Sequence, residues 1–149
     1  MNPFRWVFAA VLAMLLLPNS ALASKCSVAA DVFFAPNSAA MDEESLEKLF
    51  EPIRKVQKSN TVLAFIASGH ADKSEATGEQ AKSLSLARAG EVAAQVVRRY
   101  PALANVVHIA SHGSTQPVAA DAYKNRRVEV EVVCVVPPPH FDKKGNPVM

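Results

Sequence analysis

Near its C-terminal end the chain reads Arg127-Val-Glu-Val-Glu-Val-Val-Cys-Val-Val136, the clearest strand pattern in the sequence. Successive residues of a strand point to opposite faces, so this alternation separates two sets of side chains. One face carries Val128, Val130, Val132 and Cys134, and the other carries Arg127, Glu129 and Glu131. We predict a strand whose valine face packs on a core and whose charged face meets solvent.

Three further strands and two helices are predicted upstream of this strand. Patterns of apolar side chains place strands over residues 26–34, 62–68 and 106–111. Apolar side chains repeat at helical spacing from about Asp42 to Lys58, where Pro52 is expected to kink the helix. A second helix ends before Pro101, and its apolar stripe consists of Ala89, Val92, Ala93, Val96, Val97 and Tyr100.

The predicted order is strand, helix, strand, helix, strand, strand (βαβαββ). In the α/β class this order packs most simply as a two-layer α+β sandwich, with both helices on one face of a mixed sheet. Right-handed crossovers make the first three strands parallel, and a hairpin return makes the last one antiparallel. Four segments then meet at one edge of the sheet, namely residues 37–38, 69–72, 113–118 and 125–127. We expect a site at this edge.

Composition and charge narrow the class of protein. The chain has 149 residues, of which 50% are hydrophobic, and 16 basic side chains stand against 14 acidic ones. This length fits one domain, and the apolar content is sufficient for a packed core. The balanced charge leaves no large field for nucleic acid or anionic lipid. A disordered chain and a nucleic-acid-binding protein are therefore both disfavoured.

The first 23 residues have the pattern of a signal peptide. Arg5 precedes an apolar run from Trp6 to Leu17, and Ala21-Leu-Ala23 is a small-x-small cleavage site. We expect cleavage after Ala23, a periplasmic location, a domain over residues 24–136 and a flexible, proline-containing tail over residues 137–149. Lys25 precedes Cys26, which argues against a lipoprotein signal, and no transmembrane segment is expected after cleavage. An uncleaved N-terminal anchor is the alternative.

The two cysteines, Cys26 and Cys134, lie on the core faces of the predicted first and last strands. In an oxidising compartment two such cysteines more often form a disulfide than a reactive pair, so we predict a Cys26–Cys134 bridge. Two buried thiols are the alternative.

Five motifs follow one another along the chain: Phe34-Ala-Pro-Asn-Ser-Ala-Ala-Met41, Gly69-His-Ala-Asp72, Leu84-Ser-Leu-Ala-Arg-Ala89, Gly113-Ser-Thr-Gln-Pro-Val118 and Asn125-Arg-Arg-Val-Glu129. Together they resemble the OmpA-like peptidoglycan-binding domain, over nearly all of residues 32–133. The resemblance implies a non-enzymatic domain without cofactors that binds peptidoglycan noncovalently. It would thereby tether itself, or an envelope assembly, to the cell wall, and association of the domain with the outer membrane is an open alternative.

In that family an aspartate and a helix arginine hold the diaminopimelate residue of the peptidoglycan stem peptide, and these roles fall on Asp72 and Arg88. A zwitterionic group needs an anion for its ammonium and a cation for its carboxylate, which agrees with this pair. Asn125 and Arg126 are further candidates for contact or for holding the loop edge. Each of the two main residues is expected to matter for binding and little for folding.

Two positions depart from the family's pattern. Glu75 stands where the family usually has a glycine, and Ala81 stands where it usually has an asparagine. These changes bear on the affinity and identity of the ligand more than on the fold.

Other readings of the same residues remain open. Asp72 could be a turn former, and Arg88 could be solvated or paired with Glu91. A metal site or hydrolase would draw on ligands near the same sheet edge, namely His70, Asp72, His108 and His112. A third reading is an interaction module with a degenerate peptidoglycan site, which binds an envelope protein through residues 137–149.

Overall fold

The structure is a computed structural model that describes residues 23–58, 60–138, 140–141 and 147–148. Its strands are β1 (Ser24–Phe33), β2 (Thr61–Gly69), β3 (Val107–Ser111) and β4 (Arg127–Val136), followed by the short β5 (His140–Phe141) and β6 (Pro147–Val148). Its helices are α1 (Glu43–Gln57), α2 (Gly78–Arg99), a 3-10 helix (Pro101–Val106) and the short α3 (Ala122–Asn125). The 3-10 helix and α3 are not in the sequence-based prediction.

The main sheet has the strand order β1-β4-β2-β3. Strand β4 is antiparallel to both of its neighbours, and β2 and β3 are parallel. This arrangement confirms the predicted mixed sheet and α+β fold. It also brings the chain to one edge of the sheet after β1, after β2, after β3 and before β4.

Both long helices pack on the valine face of β4. The core there combines α1 and α2 with the sheet through Leu49, Ile53, Val56, Ala89, Val92, Val96, Val32, Phe65, Val128, Val130 and Val132. Helix α1 begins with Asp42 as its N-cap, whose side chain accepts a hydrogen bond from the backbone N–H of Ser45 at 2.8 Å. Pro52 lies inside this helix and is buried. The opposite face of β4 exposes Glu129 and Glu131, as the alternation predicts, but Arg127 on the same face is buried.

The predicted disulfide is present between Cys26 of β1 and Cys134 of β4, which face each other in the antiparallel register. The bridge closes a loop with a sequence separation of 108 residues. Cross-links of this span restrict the unfolded chain and typically stabilise a domain by about 2–4 kcal/mol.

Gly69, the last residue of β2, sets how closely helix α2 approaches the sheet. A Cβ atom at this position would lie 1.9 Å from the carbonyl oxygen of Ser85 in α2. Only glycine therefore allows this contact. As a result, the first turns of α2 pack over the end of β2 and bury Ala81, Ser85 and Arg88.

The predicted leader, residues 1–23, lies outside the described residues except for Ala23. Within the predicted tail, β5 and β6 pair with each other in an antiparallel ladder. No helix in the described part of the chain is long and apolar enough to span a membrane.

Candidate functional site

The chain segments that follow β1, β2 and β3 meet the segment before β4 at one corner of the sheet. Backbone hydrogen bonds join them: the N–H of Ala71 donates to the carbonyl of Gly113, and the N–H of His70 donates to the carbonyl of Arg127. The N–H of Phe34 donates to the carbonyl of Arg126. The four segments predicted to meet at this edge do so.

Arg88 is the largest fully buried side chain of the corner, with 0% of its surface exposed. Its Nε donates to the carbonyl oxygen of Ser38 at 2.9 Å. Nη1 donates to the carbonyl of His70 at 3.0 Å, and Nη2 donates to that of Ala35 at 3.2 Å. The remaining two N–H groups bind the carboxylate of Glu75, at 2.6 and 2.8 Å. All five donors of this guanidinium thus have an acceptor.

Glu75 completes this arrangement from the loop between β2 and α2. Its Oε1 accepts hydrogen bonds from Arg88 and from the backbone N–H of Asp72, at 2.6 and 2.9 Å. Its Oε2 accepts from Arg88 and from the backbone N–H of Asn37, both at 2.8 Å. Burial raises the pKa of Glu75, but the bonds from Arg88 and the two backbone N–H groups outweigh it and lower the pKa overall. The carboxylate is therefore ionised and held from three chain segments.

We call the guanidinium of Arg88 and the backbone N–H groups of Asn37 and Asp72 the carboxylate cradle. Asn37 adopts a left-handed backbone conformation, with φ 54°, which asparagine tolerates better than most residues. That turn directs its N–H toward the cradle. The donors match a carboxylate in geometry and charge, because a guanidinium binds the two oxygens in parallel and each oxygen has a second lone pair for a backbone N–H.

Asp72 lies next to the cradle and faces solvent. Its Oδ1 accepts from the backbone N–H of Ser74 at 2.8 Å, and its Oδ2 accepts from the side-chain amide of Asn125 at 2.8 Å. Hydrogen bonds from Ser74 and Asn125 lower the pKa of Asp72, so the carboxylate is ionised at neutral pH. It is thus both a turn former and an available anion.

Asn125 and Arg126 hold the edge of the corner. The amide oxygen of Asn125 accepts from the backbone N–H groups of Val118 and Ala119, and its amide nitrogen binds both Asp72 and the carbonyl of Ala119. Asn125 is buried, so it positions Asp72 and the loop. The Nε of Arg126 donates to the carbonyl of Phe34 at 3.1 Å.

A groove of about 260 Å³ runs beside Arg126. Arg126 places its guanidinium over the ring of Tyr123 at 5.9 Å, and Lys48 of α1 lines the same groove. The groove also contains Asp42 and Glu44, and Lys48 pairs with Glu44, so its lining is aromatic and of mixed charge.

The three histidines considered above as metal ligands do not all lie together. His70 is buried and stacks on His112 with ring centroids 4.9 Å apart, whereas His108 is exposed. Asp72 is bound to Asn125 instead. Among the residues that the structure describes, no group of three or more His, Cys, Asp or Glu side chains could hold a metal ion.

The sequence did not predict the ion-pair partner of Arg88. Arg88 is neither solvated nor paired with Glu91, because it is buried and its partner is Glu75. A buried ion pair of this kind leads us to predict that Arg88 also matters for folding, which differs from the expectation based on sequence. The available signal was the acidic residue at position 75, three residues after Asp72, where the resemblance leads one to expect glycine.

Comparison with known proteins shows the family. The sequence profile of the OmpA family matches residues 33–131, and the chain belongs to this family. A search of curated proteins finds no match.

Three solved structures illustrate the similarity in fold. The OmpA-like domain of FopA1 from Francisella tularensis aligns with a TM-score of 0.60 and 18% identity, covering 83% of this chain and 81% of that one. The C-terminal domain of Helicobacter pylori MotB aligns with a TM-score of 0.56 and 23% identity, over 67% and 81%. The cell wall anchor of the T6SS from Pseudomonas aeruginosa aligns with a TM-score of 0.56 and 25% identity, over 87% and 95%.

Proposed function

We propose that this OmpA-family domain is exported to the periplasm, binds peptidoglycan noncovalently through the diaminopimelate residue of the stem peptide, and anchors itself or an envelope complex to the cell wall. It acts as a binding module and not as an enzyme. The observation that carries the proposal is the corner itself, where a carboxylate cradle lies beside the ionised, solvent-facing Asp72.

This corner suits a zwitterionic amino-acid end. The cradle offers a two-pronged cation and two N–H groups for a carboxylate, and Asp72 offers an anion for an ammonium. Asp72 takes part in both interactions. Its backbone N–H belongs to the cradle, and its side chain faces solvent. The similarity to a cell wall anchor that is 25% identical supports the choice of partner.

Co-sedimentation with purified sacculi tests this function. The protein is expected to pellet with diaminopimelate-type sacculi, and free diaminopimelate should release it. Lysine-type sacculi are the matched control, because lysine has the side-chain ammonium of diaminopimelate without its second carboxylate. Equal pelleting with both types of sacculi, or pelleting with neither, would contradict the proposal.

A second candidate function is an interaction module for an envelope protein. One observation favours it: every donor of Arg88 is already accepted within the protein, and Glu75 supplies the carboxylate. Under this function the protein would bind no type of sacculus, whether or not Glu75 is present.

A further inference from the structure

Glu75 is bound in the way a ligand carboxylate would be. Its two oxygens accept four hydrogen bonds, from the guanidinium of Arg88 and from the backbone N–H groups of Asp72 and Asn37, at 2.6–2.9 Å. Only 2% of the surface of its side chain is exposed, although its loop neighbours Lys73 and Ser74 are exposed. The loop is thus exposed, but the side chain of Glu75 is buried beneath it.

The geometry makes an external carboxylate and Glu75 mutually exclusive. A guanidinium has five N–H donors, and the three that do not bind Glu75 are committed to the carbonyl oxygens of Ser38, His70 and Ala35. Two of these carbonyls belong to the chain after β1, so Arg88 cannot turn outward without breaking that corner. A carboxylate from outside can therefore bind the cradle only where Glu75 now binds.

We propose that Glu75 is an internal competitor, which occupies the carboxylate cradle until a ligand displaces it. The identity of that ligand rests on the proposed function, whereas the competition itself does not. Release requires the side chain of Glu75 to leave the cradle, while Arg88 and the backbone of Asn37 and Asp72 stay in place.

Internal competition has a consequence for affinity and specificity. The apparent affinity of the site is its intrinsic affinity multiplied by the fraction of time that the cradle is vacant. A simple monocarboxylate gains only what Glu75 already provides, so it displaces Glu75 poorly. A ligand that also presents an ammonium to Asp72 gains a second ion pair and displaces it better. Glu75 thus makes the site selective for zwitterions.

The test uses Glu75→Ala, which vacates the cradle, and Glu79→Ala as the matched control. Glu79 carries the same charge four residues later, and its side chain is 88% exposed in a pair with Lys82. We expect acetate, compared with chloride at equal ionic strength, to raise the Tm of Glu75→Ala by about 2–6 °C. Wild type and Glu79→Ala should show no such rise. An equally small change in Tm in all three proteins would contradict the proposed competition.

Binding of free diaminopimelate measures displacement directly. By calorimetry, Glu75→Ala should bind it roughly tenfold more tightly than wild type and Glu79→Ala do. Equal affinity in the three proteins would overturn the proposal. If acetate and diaminopimelate act as expected but none of the proteins pellets with sacculi, the internal competition stands and the proposed function fails. If all three proteins pellet equally, bind free diaminopimelate with equal affinity and show no response to acetate, the proposed function stands and the internal competition fails.

Glu75→Gln covers the case in which Glu75→Ala does not fold. The amide keeps the shape of the side chain and removes its charge, so this variant should bind diaminopimelate with an affinity between those of wild type and the vacated cradle. Refolding of Glu75→Ala in acetate should then also succeed where refolding in chloride fails. Failure in acetate, together with wild-type affinity in Glu75→Gln, would contradict the proposal.

Discussion

Two buried arginines lie on either side of His70, and the hydrogen bonds of their guanidinium groups differ greatly. Arg88 donates to the backbone carbonyl of His70 and uses all five of its N–H groups. Arg127 lies near the ring of His70, and its Nε and Nη2 both bind the same oxygen of Glu129. Within the described residues its Nη1 has no hydrogen-bond partner, and neither ring nitrogen of His70 has one.

The difference lies in the partner carboxylates. The side chains of Arg88 and Glu75 are 0% and 2% exposed, whereas those of Arg127 and Glu129 are 3% and 48% exposed. Glu129 lies on the open face of the sheet and keeps part of its hydration. The Arg88 pair is thus a closed site built to bind a carboxylate, and the Arg127 pair is an edge contact.

The largest expected effect is that of Arg88→Ala. This substitution leaves the carboxylate of Glu75 buried without its cation, so we expect unfolding free energy to fall by about 3–5 kcal/mol. Urea denaturation measures it. Arg88→Lys keeps the charge but not the planar fork, and should be intermediate. A loss under about 1 kcal/mol in Arg88→Ala would show that the pair is not closed to solvent.

The second prediction concerns pH and His70. Burial, with Arg127 acting in the same direction, lowers the pKa of His70 to about 4 from an ordinary 6.5. The unfolded chain then binds a proton that the folded protein does not, so stability falls as pH decreases from 6.5 toward 4. The expected contribution is roughly 2 kcal/mol between about pH 7 and about pH 5.

His70→Tyr isolates this contribution, because tyrosine does not titrate in that range. The variant should have a flatter curve of unfolding free energy against pH than wild type has. His108→Tyr is the matched control, since His108 is exposed. Parallel curves for wild type and His70→Tyr would exclude a role for this buried ring.

Arg127→Ala should cost less than Arg88→Ala. Glu129 remains half hydrated after the substitution, and the unpartnered Nη1 of Arg127 is removed along with its ion pair. We expect a loss of about 1–2 kcal/mol, measured by the same denaturation. If Arg127→Ala destabilised the protein as much as Arg88→Ala does, the contrast between the two arginines would be wrong.

The smallest effect on stability is expected from Asp72→Ala. The substitution removes hydrogen bonds to Ser74 and Asn125 at a solvent-facing turn, which should cost roughly 1 kcal/mol. Binding to sacculi should nevertheless fall about tenfold, because the ligand's ammonium loses its counterion. Asp121→Ala is the control, since Asp121 also caps a turn at this edge of the sheet. Equal binding by both variants would remove Asp72 from the site.

The sheet and the meeting point of its loops could be predicted from sequence because both follow from periodic patterns. The alternation in residues 127–136 fixed the core face of β4, and crossover rules placed residues 37–38, 69–72 and 125–127 at one edge. The Cys26–Cys134 disulfide followed from the core faces of the first and last predicted strands. These inferences need only local periodicity and chain direction.

The interior of the corner could not be predicted in that way. The Arg88–Glu75 pair joins a helix to a loop without any repeat, and its geometry depends on the left-handed turn at Asn37 and on the close approach at Gly69. The predicted apolar stripe of α2 begins at Ala89, whereas the buried face of the helix already includes Ala81, Ser85 and Arg88. The role of a polar residue in a buried stripe can be assigned only when its hydrogen-bond and ion-pair partners are known.

A crystal structure of Glu75→Ala grown in acetate tests the central claim most directly. The account predicts a bound acetate whose two oxygens accept from the guanidinium of Arg88 and from the backbone N–H groups of Asn37 and Asp72, with Arg88 unmoved. A structure in which Arg88 has left the carbonyl oxygens of Ser38 and Ala35, or in which only water fills the cradle, would contradict it.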